Sequence, residues 1–129
     1  MTVVDASAIM ELLVDRGKGK AVESRIRGHR IYAPHLLNIE VLSVLRGLLQ
    51  KKEITLAEAE TARNDFSSLL IELRAHTPLL KRTWELRHNY SAYDAAYIAT
   101  AEVLETRVLT TDARMSRGTG ARCPIELVS

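Results

Sequence analysis

Short apolar runs alternate with amphipathic stretches along this chain. Thr2-Val3-Val4 is β-branched and stops on Asp5, and Ala8 to Val14 carries a helical pattern. After a turn-like basic segment, Arg16-Gly17-Lys18-Gly19-Lys20, the pattern predicts a short helix around Ala21–Arg27. Gly28 closes it and Arg30 to Ala33 reads as a second strand. Pro34 then opens a long helix from His35 to about Lys52, where its missing N–H costs nothing. Thr55, with Glu58 three residues on, makes a capping box for a helix reaching about Leu70. Ile71–Ala75 is a third strand, Thr77-Pro78 restarts a helix through Arg87, and Ser91 opens another. Val108–Thr111 is a fourth strand, Asp112–Arg117 a short helix and Ile125–Val128 a last strand, with Gly118 and Gly120 breaking the chain between them.

Strands alternating with helices, the inner strands being short apolar runs, predict a parallel sheet covered on both faces. The expectation is one three-layer α/β/α domain spanning residues 1–129. A chain of this length buries roughly two thirds of its unfolded surface, enough for a core without metal or disulfide support. The composition, 47% apolar and 26% charged, is that of an ordinary globular protein and argues against disorder. No apolar run is long enough for a membrane span, and no leader-like segment precedes the first strand. A lone cysteine, Cys123, has no internal disulfide partner and fits a reducing cytoplasm. The net charge of +2 does not demand a nucleic-acid partner, although 13 of the 18 basic residues are Arg, which pairs bidentately with phosphate.

The informative residues are acids at predicted sheet edges. Asp5 and Asp112 each follow a strand, Asp94 lies in the first turn of the helix that leads to the fourth strand, and Glu40 lies near the start of the Pro34 helix. Each has an ordinary structural explanation. Asp5 and Asp112 suit N-caps, Ser91-Ala92-Tyr93-Asp94 matches a capping box, and Glu40 sits at the border of an apolar arc. In an open parallel sheet, however, ligands bind beyond the carboxyl ends of the strands, and all four acids can reach that mouth. Two unit charges about 4 Å apart repel by about 4 kcal/mol at an effective dielectric near 20. A cluster of four therefore takes up protons or a cation, and Mg2+ or Mn2+ suits an all-carboxylate donor set. Metal-assisted phosphodiester hydrolysis is the chemistry that follows.

Other α/β sites fail on particular residues. A haloacid-dehalogenase-type phosphatase needs Asp where Ser7 stands; a response-regulator receiver needs an Asp ending the third strand and a Lys ending the fifth. The Gly17–Lys20 segment is not a phosphate-binding loop, and the four histidines show no zinc spacing. Tyr93 and Tyr97, at helical spacing, read as core or interface residues rather than base-stacking platforms.

The ordered set VVDAS, then Pro34-His35-Leu36 through Glu40 to Leu45-Arg46, then YDAAYIATAE, then LTTDARM, resembles the PIN domain. More narrowly, the chain resembles VapC-type ribonuclease toxins of bacterial and archaeal toxin–antitoxin pairs. The resemblance spans the whole chain. It implies a parallel sheet of order 3-2-1-4-5 and an acidic Mg2+ or Mn2+ site made by Asp5, Glu40, Asp94 and Asp112, supported by hydroxyls of Ser7 and Thr110. It further implies an endoribonuclease acting on structured RNA such as tRNA, a homodimer, and silencing by a cognate VapB-type antitoxin. Met115 stands where some members carry an acid or amide. Arg46, Arg114 and Arg117 are candidates for RNA phosphate. Two alternatives remain: a PIN-like module that binds RNA or protein without cutting, and a metal-dependent phosphoesterase acting on DNA.

Overall fold

The computed structural model describes residues 1–129. Five strands, β1 (Thr2–Val4), β2 (Ile31–Pro34), β3 (Ile71–Arg74), β4 (Val108–Thr110) and β5 (Ile125–Leu127), form one sheet in the order 3-2-1-4-5. All four pairings are parallel, with Val3 opposite both Tyr32 and Val108. The central strands β1 and β4 are fully buried, whereas edge strand β3 alternates half-buried with exposed residues. The exposed positions carry charge: Glu72 pairs with Arg30, and such charge blunts an edge that would otherwise recruit another strand.

The helices are α1 (Ala6–Leu13), α2 (Gly19–Ile26), α3 (Leu36–Gln50), α4 (Leu56–Ser68), α5 (Leu80–Glu85), α6 (Ala92–Val103) and α7 (Ala113–Arg117). On one face α1 packs against α2, α3 and α4; α6 packs against β1, β2 and β4 and is braced by α5. This is the expected three-layer α/β/α arrangement. Ala95, Ala96, Ala99 and Ala101 are all buried, and their small side chains let α6 lie close against the sheet. The main core runs from Val3, Val4, Val108 and Leu109 in the sheet to Ile9, Leu37, Val41 and Ile98 in the helices.

Local chemistry explains most boundaries. The Thr55–Glu58 capping box is present in both directions. Asp15 starts α2 earlier than the pattern predicts, because its Oδ1 accepts the N–H groups of Gly17 and Gly19. A side chain at Gly19 would lie 2.8 Å from the Asp15 carboxyl and the Glu11 carbonyl, so this close approach needs glycine. Pro34 does not open α3. It ends β2, opposite Arg74, and the following His35 N–H completes the ladder by donating to the Arg74 carbonyl. The missing N–H falls where the pairing of β2 with β1 has already ended, at Tyr32. The helix begins at Leu36, whose N–H donates to His76 Nε2 at 2.9 Å. α4 stops at Ser68 because Leu69 is already extended toward β3. The predicted 77–87 helix divides into a 3-10 turn, Thr77–Leu79, and the short α5.

A salt-bridged clamp ties the far end of α6 to the segment before β5. Arg82 donates to both Glu102 carboxylate oxygens and to the Gly120 carbonyl, while Glu102 also accepts the Arg122 N–H. Nearby, Gly118 lies so close to the Tyr90 ring that an added Cβ would stand 2.4 Å from it. No helix is long and apolar enough to cross a membrane.

Candidate active site

The strand order places β2 on one side of β1 and β4 on the other, so the order in which strands are added reverses at β1. The gap beyond the carboxyl ends of β1 and β4 is the position where open parallel sheets bind ligands. Asp5 leaves β1 directly into that gap. It is only 6% exposed. Its Oδ1 caps α1 by accepting the Ala8 N–H at 3.0 Å and accepts the Ser7 hydroxyl at 2.7 Å. Thr110, the last residue of β4, donates its hydroxyl to Asp5 Oδ2 at 2.5 Å.

Each of these hydroxyls has a second task. Ser7 Oγ accepts the Thr111 N–H and Thr110 Oγ1 accepts the Asp112 N–H, both at 3.0 Å. The Asp5 carboxylate thus fixes the turn that presents Asp112, although the two acids lie over a hundred residues apart in sequence. Asp112 caps α7 by accepting the Arg114 N–H at 2.9 Å, and its Oδ2 pairs with the Arg114 guanidinium at 3.2 Å.

Asp94 behaves differently. Its backbone N–H donates to Ser91 Oγ at 3.1 Å, which is half of a capping box, but its carboxylate makes no hydrogen bond within the protein. Capping therefore does not account for the Asp94 side chain. Glu40 projects from the second turn of α3, half-buried, and its Oε1 accepts the Tyr97 hydroxyl at 2.7 Å.

The charges interact across the cleft. Burial pushes the Asp5 carboxyl above its ordinary value; hydrogen bonds from Ser7, Thr110 and Ala8 oppose the rise and the Asp94 charge adds to it. Burial likewise raises Glu40, against the Tyr97 bond, with Asp94 and Asp5 contributing repulsion. Asp94 is raised by burial and by Asp112, and relieved in part by Arg114. Asp112 feels burial too, but the Arg114 bonds and charge hold it below the usual carboxylate range. Three mutually repelling acids therefore share this mouth, with one arginine engaged on the fourth. No three acids converge to chelating distance.

Arg46 and Arg117 are exposed, on α3 and at the end of α7, outside this hydrogen-bonded cluster. Met115 is 1% exposed and belongs to the core, so that position offers no ligand. Tyr97 is also a core residue, but its hydroxyl belongs to the acid cluster; nothing local in the chain reveals a partner 57 residues away.

A PIN-domain family model matches residues 2–120. The VapC ribonuclease Mb0985 of Mycobacterium bovis is 38% identical over 128 residues, covering 99% of this chain and 98% of that protein. Ribonuclease VapC12 of Mycobacterium tuberculosis is 33% identical, with each chain covered completely. Among solved structures, PAE2754 from Pyrobaculum aerophilum superposes with a TM-score of 0.67 at 21% identity, covering 95% of this chain and 82% of that one. The Mycobacterium tuberculosis VapC20 toxin, described as cleaving the sarcin–ricin loop, gives 0.67 at 17% identity, with coverages of 90% and 93%. The chain belongs to the PIN-domain family. Over nearly its full length it is similar to proteins named as VapC ribonucleases.

Proposed function

We propose that this protein is a Mg2+- or Mn2+-dependent endoribonuclease that acts as the toxin of a VapBC-type pair. The observation that carries the reading is the shared mouth of Asp5, Glu40 and Asp94, each raised by burial, two of them further by a neighbour within the trio and Asp94 by Asp112. The unbonded Asp94 carboxylate and the second oxygen of Glu40, which has no protein donor, are hard anionic donors, and that set fits a small divalent cation.

Asp5, Glu40, Asp94 and Asp112 would hold the ion, drawing in from spacings at which no three of them converge in its absence. When bound, it supplies a Lewis acid for the phosphodiester and a lowered pKa for attacking water. The chain's own part is positional. Ser7 and Thr110 orient Asp5 and the turn bearing Asp112, while Arg114, exposed and already at the cleft, is placed to exchange Asp112 for an RNA phosphate. Arg46 and Arg117 extend the phosphate-binding surface. Structured RNA, including tRNA, is the proposed substrate class.

The remaining assignments follow from the same reading: a cytoplasmic protein of one domain, a homodimer, and a cognate VapB-type antitoxin that covers the groove. Exposed Ile39, Leu42 and Val44 on α3, and Leu80, Trp84 and Tyr93 across α5 and α6, offer apolar surface for these contacts. A groove of about 400 Å³ between α3, α4 and β3 lies beside Leu42.

Asp94→Asn tests the proposal cleanly, because the cap at this position uses the backbone N–H and survives the change. Cleavage of total or transfer RNA in excess Mg2+ should fall by at least a hundredfold, with an unchanged circular dichroism spectrum. Wild-type cleavage by the variant would refute the metal site.

A further inference from the structure

Tyr97 follows Asp94 by three residues on α6, so one helix face carries both. Its side chain is 1% exposed. A buried phenol finds a hydrogen-bond partner as a rule; here the partner is a site acid, Glu40, on a different helix. The Glu40 charge bears on this hydroxyl, and those of Asp5 and Asp94 add to it.

Glu40 has three rotatable side-chain torsions and is only half-buried, so packing alone does not fix its carboxylate. The 2.7 Å bond to Oε1 does, and it leaves Oε2 without a protein donor. A phenol has one proton to give and here spends it on one carboxylate oxygen. The ring, packed in the core, cannot follow Glu40 if that side chain swings away.

We propose that Tyr97 is a positioning residue of the acidic site, pinning Oε1 so that Glu40 presents Oε2 to a divalent cation alongside Asp5 and Asp94. This rests on the reading of the acids as a metal site. Groups that orient a metal ligand from behind typically change metal affinity by about 10–100-fold when removed. If Tyr97 were only a core aromatic, Tyr97→Phe would keep the ring and leave metal binding unchanged.

The test is calorimetric titration of Mn2+ into wild-type protein, Tyr97→Phe, Glu40→Gln, the double variant and Asp94→Asn. Tyr97→Phe should weaken Mn2+ binding by about 10–100-fold. It should also raise the Mg2+ concentration needed for half-maximal cleavage, with the rate recovering at saturating Mg2+. In the Glu40→Gln background the same change should add less than about twofold, since the hydroxyl acts through Glu40. Mn2+ binding by Tyr97→Phe within twofold of wild type would overturn the proposal, as would full additivity with Glu40→Gln. A Tyr97→Phe chain that fails to fold assigns the hydroxyl to stability and overturns it too. If wild-type protein binds no Mn2+, or Asp94→Asn binds it equally well, the metal reading fails and Tyr97 with it. If those controls hold while Tyr97→Phe titrates like wild type, only the positioning role falls.

Discussion

Thr110→Val removes one hydroxyl at nearly constant volume from a residue with no solvent exposure. Two strong bonds go with it, besides a longer 3.2 Å contact to the Ser7 hydroxyl. The first is donated to the buried Asp5 carboxylate at 2.5 Å, the second accepted from the Asp112 N–H at 3.0 Å. A hydrogen bond to a charged group contributes about 1.5–3 kcal/mol, and a neutral one about 0.5–1.5. Together the loss is about 2–4 kcal/mol, a large share of the roughly 5–15 kcal/mol typical of a domain. With an unfolding entropy of about 2.1 cal/mol/K per residue, this chain has roughly 270 cal/mol/K, so each kcal/mol shifts the Tm by about 4 °C. Calorimetry of metal-free protein at neutral pH should show the variant melting about 8–15 °C below wild type. Asp112 loses the bond that fixes its backbone, so RNA cleavage should fall as well. A Tm within about 3 °C of wild type would refute the view that this hydroxyl couples the β1 and β4 ends.

Two further outcomes concern charge. The folded-state pKa values of Asp5, Glu40 and Asp94 lie above their ordinary values, so the native state holds protons to higher pH than the unfolded chain. Their contribution is fully present below the unfolded values and is lost as pH rises through the folded ones. Metal-free protein should therefore gain Tm as pH falls from neutrality toward the ordinary carboxylate range. Stability then declines below the ordinary carboxylate range, where Asp112, Glu102 and Asp15, all held low, lose theirs. Mn2+ should stabilise most near neutrality, and a metal-free Tm that falls steadily as pH drops from neutrality toward that range would contradict the charge arrangement. Arg114→Gln should weaken RNA binding and make its logarithmic salt dependence shallower by about 0.7–1, measured by filter binding with the Asp94→Asn protein. An unchanged slope would remove Arg114 from the phosphate surface.

What the chain discloses locally and what it conceals follow from the range of each interaction. The Thr55–Glu58 capping box is legible because both partners lie within one turn, and the alternation of strand and helix is legible because each element declares its own period. Strand order is not a local property, and it is reached through the likeness of ordered motifs to the PIN domain. Pro34 is misread because a proline suits a helix's first turn as well as a strand's last residue. The choice is made by the Arg74 ladder and by His76, which caps α3 from 40 residues away. The four acids stand out as sheet-edge carboxylates. Their supports divide: Ser7 is a neighbour of Asp5, whereas the Tyr97–Glu40 bond joins two helices and leaves no trace in the spacing of either.

The unequal bonding of the acids has a consequence for how the chain loses its activity. Asp5 and Asp112 each cap a helix, and Asp5 also anchors two hydroxyls, so most replacements there damage fold and site together. Asp94 contributes only its backbone to its helix. In a population selected to escape the proposed nuclease, lesions at Asp5 should yield little soluble chain. Lesions at Asp94 should instead accumulate as well-folded, silent protein, still able to occupy the proposed antitoxin and free an active copy.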